Sequence, residues 1–230
     1  MRHVVQERPS SGRSFGAFLA ACGVIILLIA GGSEVFAEWY VAGQLGANIP
    51  SKLSEVKGVG SLVGGTYSSQ NLQTSLLYGA KLGYYLESLK WLGVETEVYN
   101  STPNLQQGNV NSGSGGPLYP TSGGSTLRVT TWANYLVARY PGKTFQPYAG
   151  VGVGVNFATL ASPIASSAAN AVPGLNAMAG LRVFMTKNVA LFGEYKYSYA
   201  DFQFSDVTRG GGISARYVSN IVVGGLSYHF

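Results

Sequence analysis

From Trp39 to the end of the chain one pattern keeps returning, in which every second residue is apolar or Gly. Eight segments hold this two-residue period for about ten residues or more: WYVAGQLGANI (39–49), LLYGAKLGYYLE (76–87), WLGVETEVYN (91–100), TLRVTTWANYLVARY (126–140), TFQPYAGVGVGVNFA (144–158), GLNAMAGLRVFM (174–185), NVALFGEYKYSYADFQF (188–204) and ARYVSNIVVGGLSYHF (215–230). Successive side chains of a strand point to opposite faces, so each segment shows two different surfaces. In 76–86 one face is Leu76, Tyr78, Ala80, Leu82, Tyr84 and Leu86, with Lys81 opposite. In 189–199 Val189, Leu191, Gly193, Tyr195, Tyr197 and Tyr199 share a face, opposite Glu194, Lys196 and Ser198. In 145–157 the odd positions are Phe, Pro, Ala, Val, Val, Val and Phe, and the even ones carry Gln146, Tyr148, three glycines and Asn156. One face is continuously apolar. The other mixes small residues, Tyr, Asn and full charges.

The connections alternate between short (87–90, 141–143, 186–187) and long (50–75, 101–125, 159–173, 205–214). The long ones are rich in Gly, Ser, Asn and Pro and read as surface loops. With an even strand count they share one end, and both termini share the other with the short turns. Two architectures use such strands: a soluble barrel with its apolar face inward, or a membrane barrel with that face outward. Three features favour the membrane. Aromatics cap the apolar face near strand ends (Trp39, Phe145, Phe157, Tyr195 to Tyr199, Phe230), as interfacial girdles do. The polar face is rich in Gly, as a crowded interior requires. Charged residues make up only 11% of the chain, against about 25% in soluble domains. A mean hydropathy of +0.16 is too low for a bundle of membrane helices. The expected fold is all-β, an eight-stranded antiparallel up-and-down transmembrane β-barrel over residues 38–230.

Residues 1–37 read as a cleavable signal peptide: three Arg by position 13, the apolar run FGAFLAACGVIILLIA (15–30), then GGSEVFA. Ala37 with Val35 two before it suits a signal peptidase, so the cut falls between Ala37 and Glu38. A membrane anchor is the weaker reading, because the run has 16 residues against about 20 for a span. A lipoprotein signal at LAAC (19–22) is also weaker, since the strongest apolar stretch follows Cys22 instead of preceding it.

Several functions are disfavoured. From Glu38 onward 12 Lys/Arg face 8 Asp/Glu, scattered with no basic run, so nucleic acid is not an expected partner. Cys22 is the only cysteine and lies in the leader, which removes a disulfide scaffold, a Cys metal site and a Cys nucleophile from the mature chain. GVGVG (150–154) has its glycines every second residue and no helix after it, so it is not a nucleotide-binding turn. His229 is the one histidine of the mature chain, and Asp201 and Asp206 have no histidine beside them. No catalytic residue, metal or cofactor is assigned.

The charges read as facing inward are Lys81, Glu95, Glu97, Arg128, Arg182, Glu194 and Lys196. A turn centred near Leu89 sets Lys81 opposite Glu97, and one near Lys187 leaves Arg182 diagonal to Glu194. An eight-stranded barrel is just wide enough to be filled by its own side chains. The set is then either a fixed buried network or a gate whose pairs exchange. The long loops, with Tyr67, Tyr119 and Phe204, are candidates for an extracellular ligand.

The stretches LLYGAKLGYYLE, LGVETEVYN, ANYLVARYPGKTFQPYAGVGVGV, AGLRVFMTKNVALFGEYKY and GGLSYHF resemble the OmpA-like and small porin-family eight-stranded barrels of Gram-negative outer membranes. That resemblance implies export, an outer-membrane location, contact with outer-membrane lipids and lipopolysaccharide, and insertion by periplasmic chaperones and the barrel-assembly machinery. It also implies that Val222, Gly224, Leu226, Tyr228 and Phe230 form the C-terminal assembly signal. No peptidoglycan-binding domain is expected after Phe230. The expected function is non-enzymatic, a monomer with a structural or surface-interaction role. A narrow channel for small solutes is the alternative, and a lipid-modifying enzyme is less favoured still.

Overall fold

A computed structural model describes residues 38–51, 54–60, 72–104, 109–112, 116–120, 126–162, 165–208 and 211–230. The expected signal peptide, including Ala37, lies outside them. The described residues form eleven strands: β1 (Glu38–Pro50), β2 (Ser54–Gly60), β3 (Ser75–Tyr85), β4 (Leu92–Ser101), β5 (Asn109–Ser112), β6 (Gly116–Pro120), β7 (Thr126–Arg139), β8 (Phe145–Ser162), β9 (Ala165–Phe184), β10 (Val189–Thr208) and β11 (Gly211–His229). Eight of them form one antiparallel ladder in the order β1-β3-β4-β7-β8-β9-β10-β11, and β11 pairs back onto β1 from Tyr40↔His229 to Pro50↔Ser219. The sheet is therefore closed. Closure leaves no unpaired strand edge, which is the condition for backbone to cross a hydrocarbon layer. Among the described residues no helix is long and apolar enough to cross a membrane; the strands do so instead.

Burial alternates along every barrel strand. The outward set includes Leu45, Leu76, Leu136, Val151, Leu175, Leu191 and Leu226, all 45–70% exposed. That surface needs an apolar solvent. Trp39, Tyr84, Tyr140, Phe145, Tyr228 and Phe230 face outward at the end shared by β1's start and β11's finish. Trp39 packs on Tyr84 with ring centroids 4.8 Å apart, and Tyr228 on Phe230 at 5.2 Å.

Three short turns lie at that end. Leu86 N–H donates to Leu92 O across the first. Tyr140 N–H donates to Pro147 O across the second, where a Cβ on Gly142 would run into the Phe145 carbonyl. In the third, the Thr186 hydroxyl accepts from the N–H groups of Asn188 and Val189. The Asn188 amide then donates to His229 O at 2.7 Å, tying this turn to the chain's last strand. Short turns mark the periplasmic end of such barrels.

At the other end the ladders run further than the sequence suggests. The segments 159–173 and 205–214, expected as loops, mostly continue β8–β9 and β10–β11 as extended hairpins. Ladder hydrogen bonds are made by the backbone, so Ala- and Ser-rich sequence extends a hairpin once it stands clear of the membrane. Within 50–75 β2 adds to the outer part of β11, and within 101–125 β5 and β6 make a separate hairpin.

Candidate functional site

The inward faces fill the barrel in layers. Beginning at the periplasmic mouth, Glu38 on β1 reaches across to Arg139 on β7 and takes both ends of its guanidinium, with Nη1–Oε1 at 2.7 Å. Arg139 is further held by Lys90 O at 2.9 Å and Gln146 Oε1 at 3.2 Å, and its guanidinium stacks 3.6 Å from the Tyr85 ring centre. His229 Nδ1 is 2.8 Å from Glu38 Oε1, and its Nε2 is 3.0 Å from Ser227 Oγ.

Ser227, His229 and Glu38 thus stand in the order of a hydrolase relay. Their surroundings do not match that chemistry. Ser227 is 2% exposed, and the rings of Tyr40 and Phe184 lie 5.0 and 4.8 Å from the imidazole. The backbone N–H groups around Ser227 belong to the ladders of β11, so none is free to hold an oxyanion. What the three residues do mechanically is join the first strand to the last.

Further in lies the charged belt. Lys81 Nζ is 3.0 Å from Glu95, 2.5 Å from Glu194 and 3.8 Å from Glu97. Lys196 Nζ pairs with Glu97 and lies 3.2 Å from Glu194. All five side chains are at most 1% exposed where they meet. Each carboxylate also accepts one tyrosine hydroxyl: Tyr40 donates to Glu95, Tyr135 to Glu97 at 2.8 Å, and Tyr148 to Glu194. Gln44 completes the set, donating to Glu97 and accepting from Lys196. A buried charge is tolerable when it is paired and its remaining hydrogen-bond sites are filled; here Glu194 Oε2 alone has no hydrogen bond and is met only by the Lys196 ammonium at 3.2 Å.

Backbone register explains how the side chains meet. Lys81 lies directly opposite Glu97 across β3–β4, and Arg182 lies diagonal to Glu194 across β9–β10. Small residues make room for the tyrosines. Tyr40 lies over Gly83 and Tyr148 over Gly180 on neighbouring strands, and a Cβ at either glycine would occupy the ring's place.

Two of the seven expected interior charges lie apart from the belt, and one of these is not interior. Arg182 is inside but joins an aromatic cage, its guanidinium 4.3 Å from the Tyr40 ring centre and 5.0 Å from that of Tyr148. Arg128 is not interior at all. It is exposed on the outward face of β7 beside its outer end, while Leu127 and Val129 are buried. The polar run of alternate residues Arg128, Thr130 and Asn134 looks like an inner face, but in β7 it is the outer one. Without Arg128 the interior balances: Lys81, Lys196 and Arg182 against Glu95, Glu97 and Glu194. The sequence reading missed Glu38, Arg139 and the inward Tyr40 and Tyr135, while Tyr148 stands on the mixed face where the alternation places it. Arg139 was available from its even spacing with Val137 and Tyr135.

Beyond the belt, neutral groups take over. Asn48 bonds Ser101, Tyr217 and Ser219 across the lumen, and Thr131 donates to Asn156 at 2.7 Å. Beyond these, among the described side chains, lies an apolar inward layer: Leu72, Leu127, Val129, Ala158, Val172, Ala200, Phe202, Ala215 and Tyr217. Among the described residues no cluster of His, Cys, Asp and Glu is arranged to hold a metal ion. Val222, Gly224, Leu226, Tyr228 and Phe230 all face outward on the closing strand.

A closed antiparallel barrel with an apolar wall, aromatic ends and a side-chain-filled lumen is an outer-membrane barrel protein. The chain belongs to the family described as outer membrane protein beta-barrel domain, whose model matches residues 18–230. A search of curated proteins gives no match. Among solved structures it is similar to Neisserial surface protein A, with 15% identity, 85% of this chain and 100% of that one covered, and a TM-score of 0.54. It is also similar to the outer membrane protein OprG from Pseudomonas aeruginosa, with 16% identity, 84% and 96% coverage, and a TM-score of 0.60. At these identities the likeness is one of fold.

Proposed function

We propose that this protein is a non-enzymatic, non-conducting barrel that serves the outer membrane as a structural or surface-interaction element. The observation that carries this is the double closure of the lumen. The Glu38–Arg139 pair spans the periplasmic mouth from β1 to β7, and the Lys81/Lys196 belt joins β3 and β4 to β10. A solute path requires both to part. In planar bilayers the wild-type barrel is expected to give no reproducible unit current, and Lys81→Ala with Arg139→Ala is expected to raise the leak. Steady wild-type unit currents altered by Lys81→Ala would overturn the reading.

One observation favours the channel as second reading. Lys81 Nζ lies within 4.0 Å of three carboxylates, so it can change partners with little movement. Export by the signal at residues 1–37 and recognition of the outward C-terminal residues by the assembly machinery belong to the same proposal. Deleting Phe230 should lower outer-membrane yield while leaving the urea midpoint of barrel refolded in vitro nearly unchanged. Normal yield would remove the terminal aromatic from the assembly signal.

A further inference from the structure

The outer wall of the barrel is not uniform. Across β1–β3 the outward pairs from Val41↔Leu82 to Ala47↔Leu76 include no amide and no aliphatic hydroxyl. The same holds across β8–β9 from Pro147↔Leu181 to Phe157↔Ala171. On β11 Asn220 is an outward amide, but its Oδ1 accepts from the Tyr195 hydroxyl at 2.5 Å. The β4–β7 seam differs. Thr96 lies opposite Asn134 and Asn100 opposite Thr130, with Val98 and Trp132 between the two pairs. All face outward, and the four polar side chains are half-buried. Asn134 stands midway along β7 between Tyr140 at the periplasmic aromatic end and Arg128 at the outer end. The polar stripe therefore reaches the middle of the hydrocarbon layer.

Part of the stripe is paired within itself. The Trp132 indole donates to the Thr96 hydroxyl at 2.9 Å, and the Asn100 amide donates to the Thr130 hydroxyl at 2.7 Å. Both hydroxyls serve as acceptors, so each keeps a proton to donate. Lipid chains offer no acceptor for it, whereas another protein wall does. Thr and Asn side chains that hydrogen-bond across a contact join neighbouring segments within a membrane. A stripe that both donates and accepts is complementary to a copy of itself. A twofold axis along the membrane normal sets equal heights of two barrels face to face. Val98, Leu136 and Val153, each about half exposed, then supply the apolar contact around the polar centre. Arg128 stands above the stripe at the outer end, where water and salt screen like charges.

We propose that the outward β4–β7 seam is the contact face between two copies of this chain in the outer membrane, with Thr96 and Asn134 of both at its centre. This departs from the monomer expected from the sequence. It uses the membrane wall described above and does not depend on whether the lumen conducts.

The test is site-directed cross-linking in isolated outer membranes. Cys22 is the only cysteine, so each cysteine is introduced singly in a Cys22→Ser background. Val98→Cys, beside the stripe, is expected to give a covalent dimer with a short bis-maleimide. Leu191→Cys, on β10 across the barrel, should give none. Adding Thr96→Val and Asn134→Leu to Val98→Cys should lower the dimer yield. Energy transfer between labelled Lys143→Cys barrels, diluted with lipid in vesicles, should show the association constant of this double variant reduced by about tenfold. The absence of a Val98→Cys dimer, equal yields at Val98 and Leu191, or unchanged association of the double variant would each overturn the contact. An adduct whose mass differs from twice that of the barrel would assign the wall to a different protein and overturn the second copy as its occupant. Each variant is first checked for a heat-modifiable gel shift, so failure of the contact is read separately from failure of the barrel.

Discussion

The two halves of the lumen are filled by opposite chemistry. Toward the periplasm, Lys81, Lys196, Glu95, Glu97 and Glu194 are specified by their charged partners, each ion facing at least one of opposite sign. Toward the cell surface, Leu127, Val129, Val172, Phe202 and Ala215 are specified only by volume. The difference teaches where this barrel tolerates change. A packed apolar layer accepts another side chain of similar size. A paired layer does not accept the loss of a partner, since the survivor stays buried and charged.

The largest effect should follow from breaking the paired half. Lys196→Met keeps bulk but leaves Glu97 and Glu194 short of a cation, and is expected to cost about 3–5 kcal/mol in urea unfolding from lipid vesicles. A cost below about 1 kcal/mol would mean that water enters the belt and the comparison fails. Adding Glu97→Gln to Lys196→Met should then cost less than the two separate effects together, with a coupling of about 0.5–3 kcal/mol. Strict additivity would show that the two groups do not interact. Next comes the packed half, where Phe202→Leu should cost less than about 1.5 kcal/mol by the same measurement. A loss as large as that of Lys196→Met would erase the distinction between the halves. The smallest effect sharpens the mouth. Ser227→Ala removes one hydrogen bond to His229 and should cost about 1 kcal/mol, and wild-type protein should resist labelling by a fluorophosphonate. Labelling that disappears in Ser227→Ala would make the Ser227–His229–Glu38 relay a hydrolytic one.

Much of this was readable beforehand. The eight-strand closure follows from alternation and from the long-short rhythm of connections, and the Lys81–Glu97 register follows from the turn at 87–90. Three things were not. Tyrosine serves both surfaces, outside at Tyr84, Tyr140 and Tyr228 and inside at Tyr40 and Tyr135, because a ring with one hydroxyl suits an interface and a crowded polar core alike. In β7 the outer end of the lipid side is polar, since Arg128 and Thr130 stand near the headgroups, and polarity then points to the wrong face. Glu38 was read as a cleavage junction, and its role across the lumen emerges only when β1 lies next to β11.

The belt has a consequence for how the barrel is made. Lys81, Glu95 and Glu97 come from one hairpin near the start of the barrel, and Glu194 and Lys196 come from a strand near its end. The early hairpin by itself holds one cation against two carboxylates. Its balance is restored only when a strand about a hundred residues later swings round to face it. Any half-built sheet that entered the bilayer would expose those charges, at a cost of several kcal/mol per ion. Insertion and closure are therefore tied into a single cooperative event. Non-local pairing of this kind slows folding, and here the slow step is also the one that rejects an open intermediate.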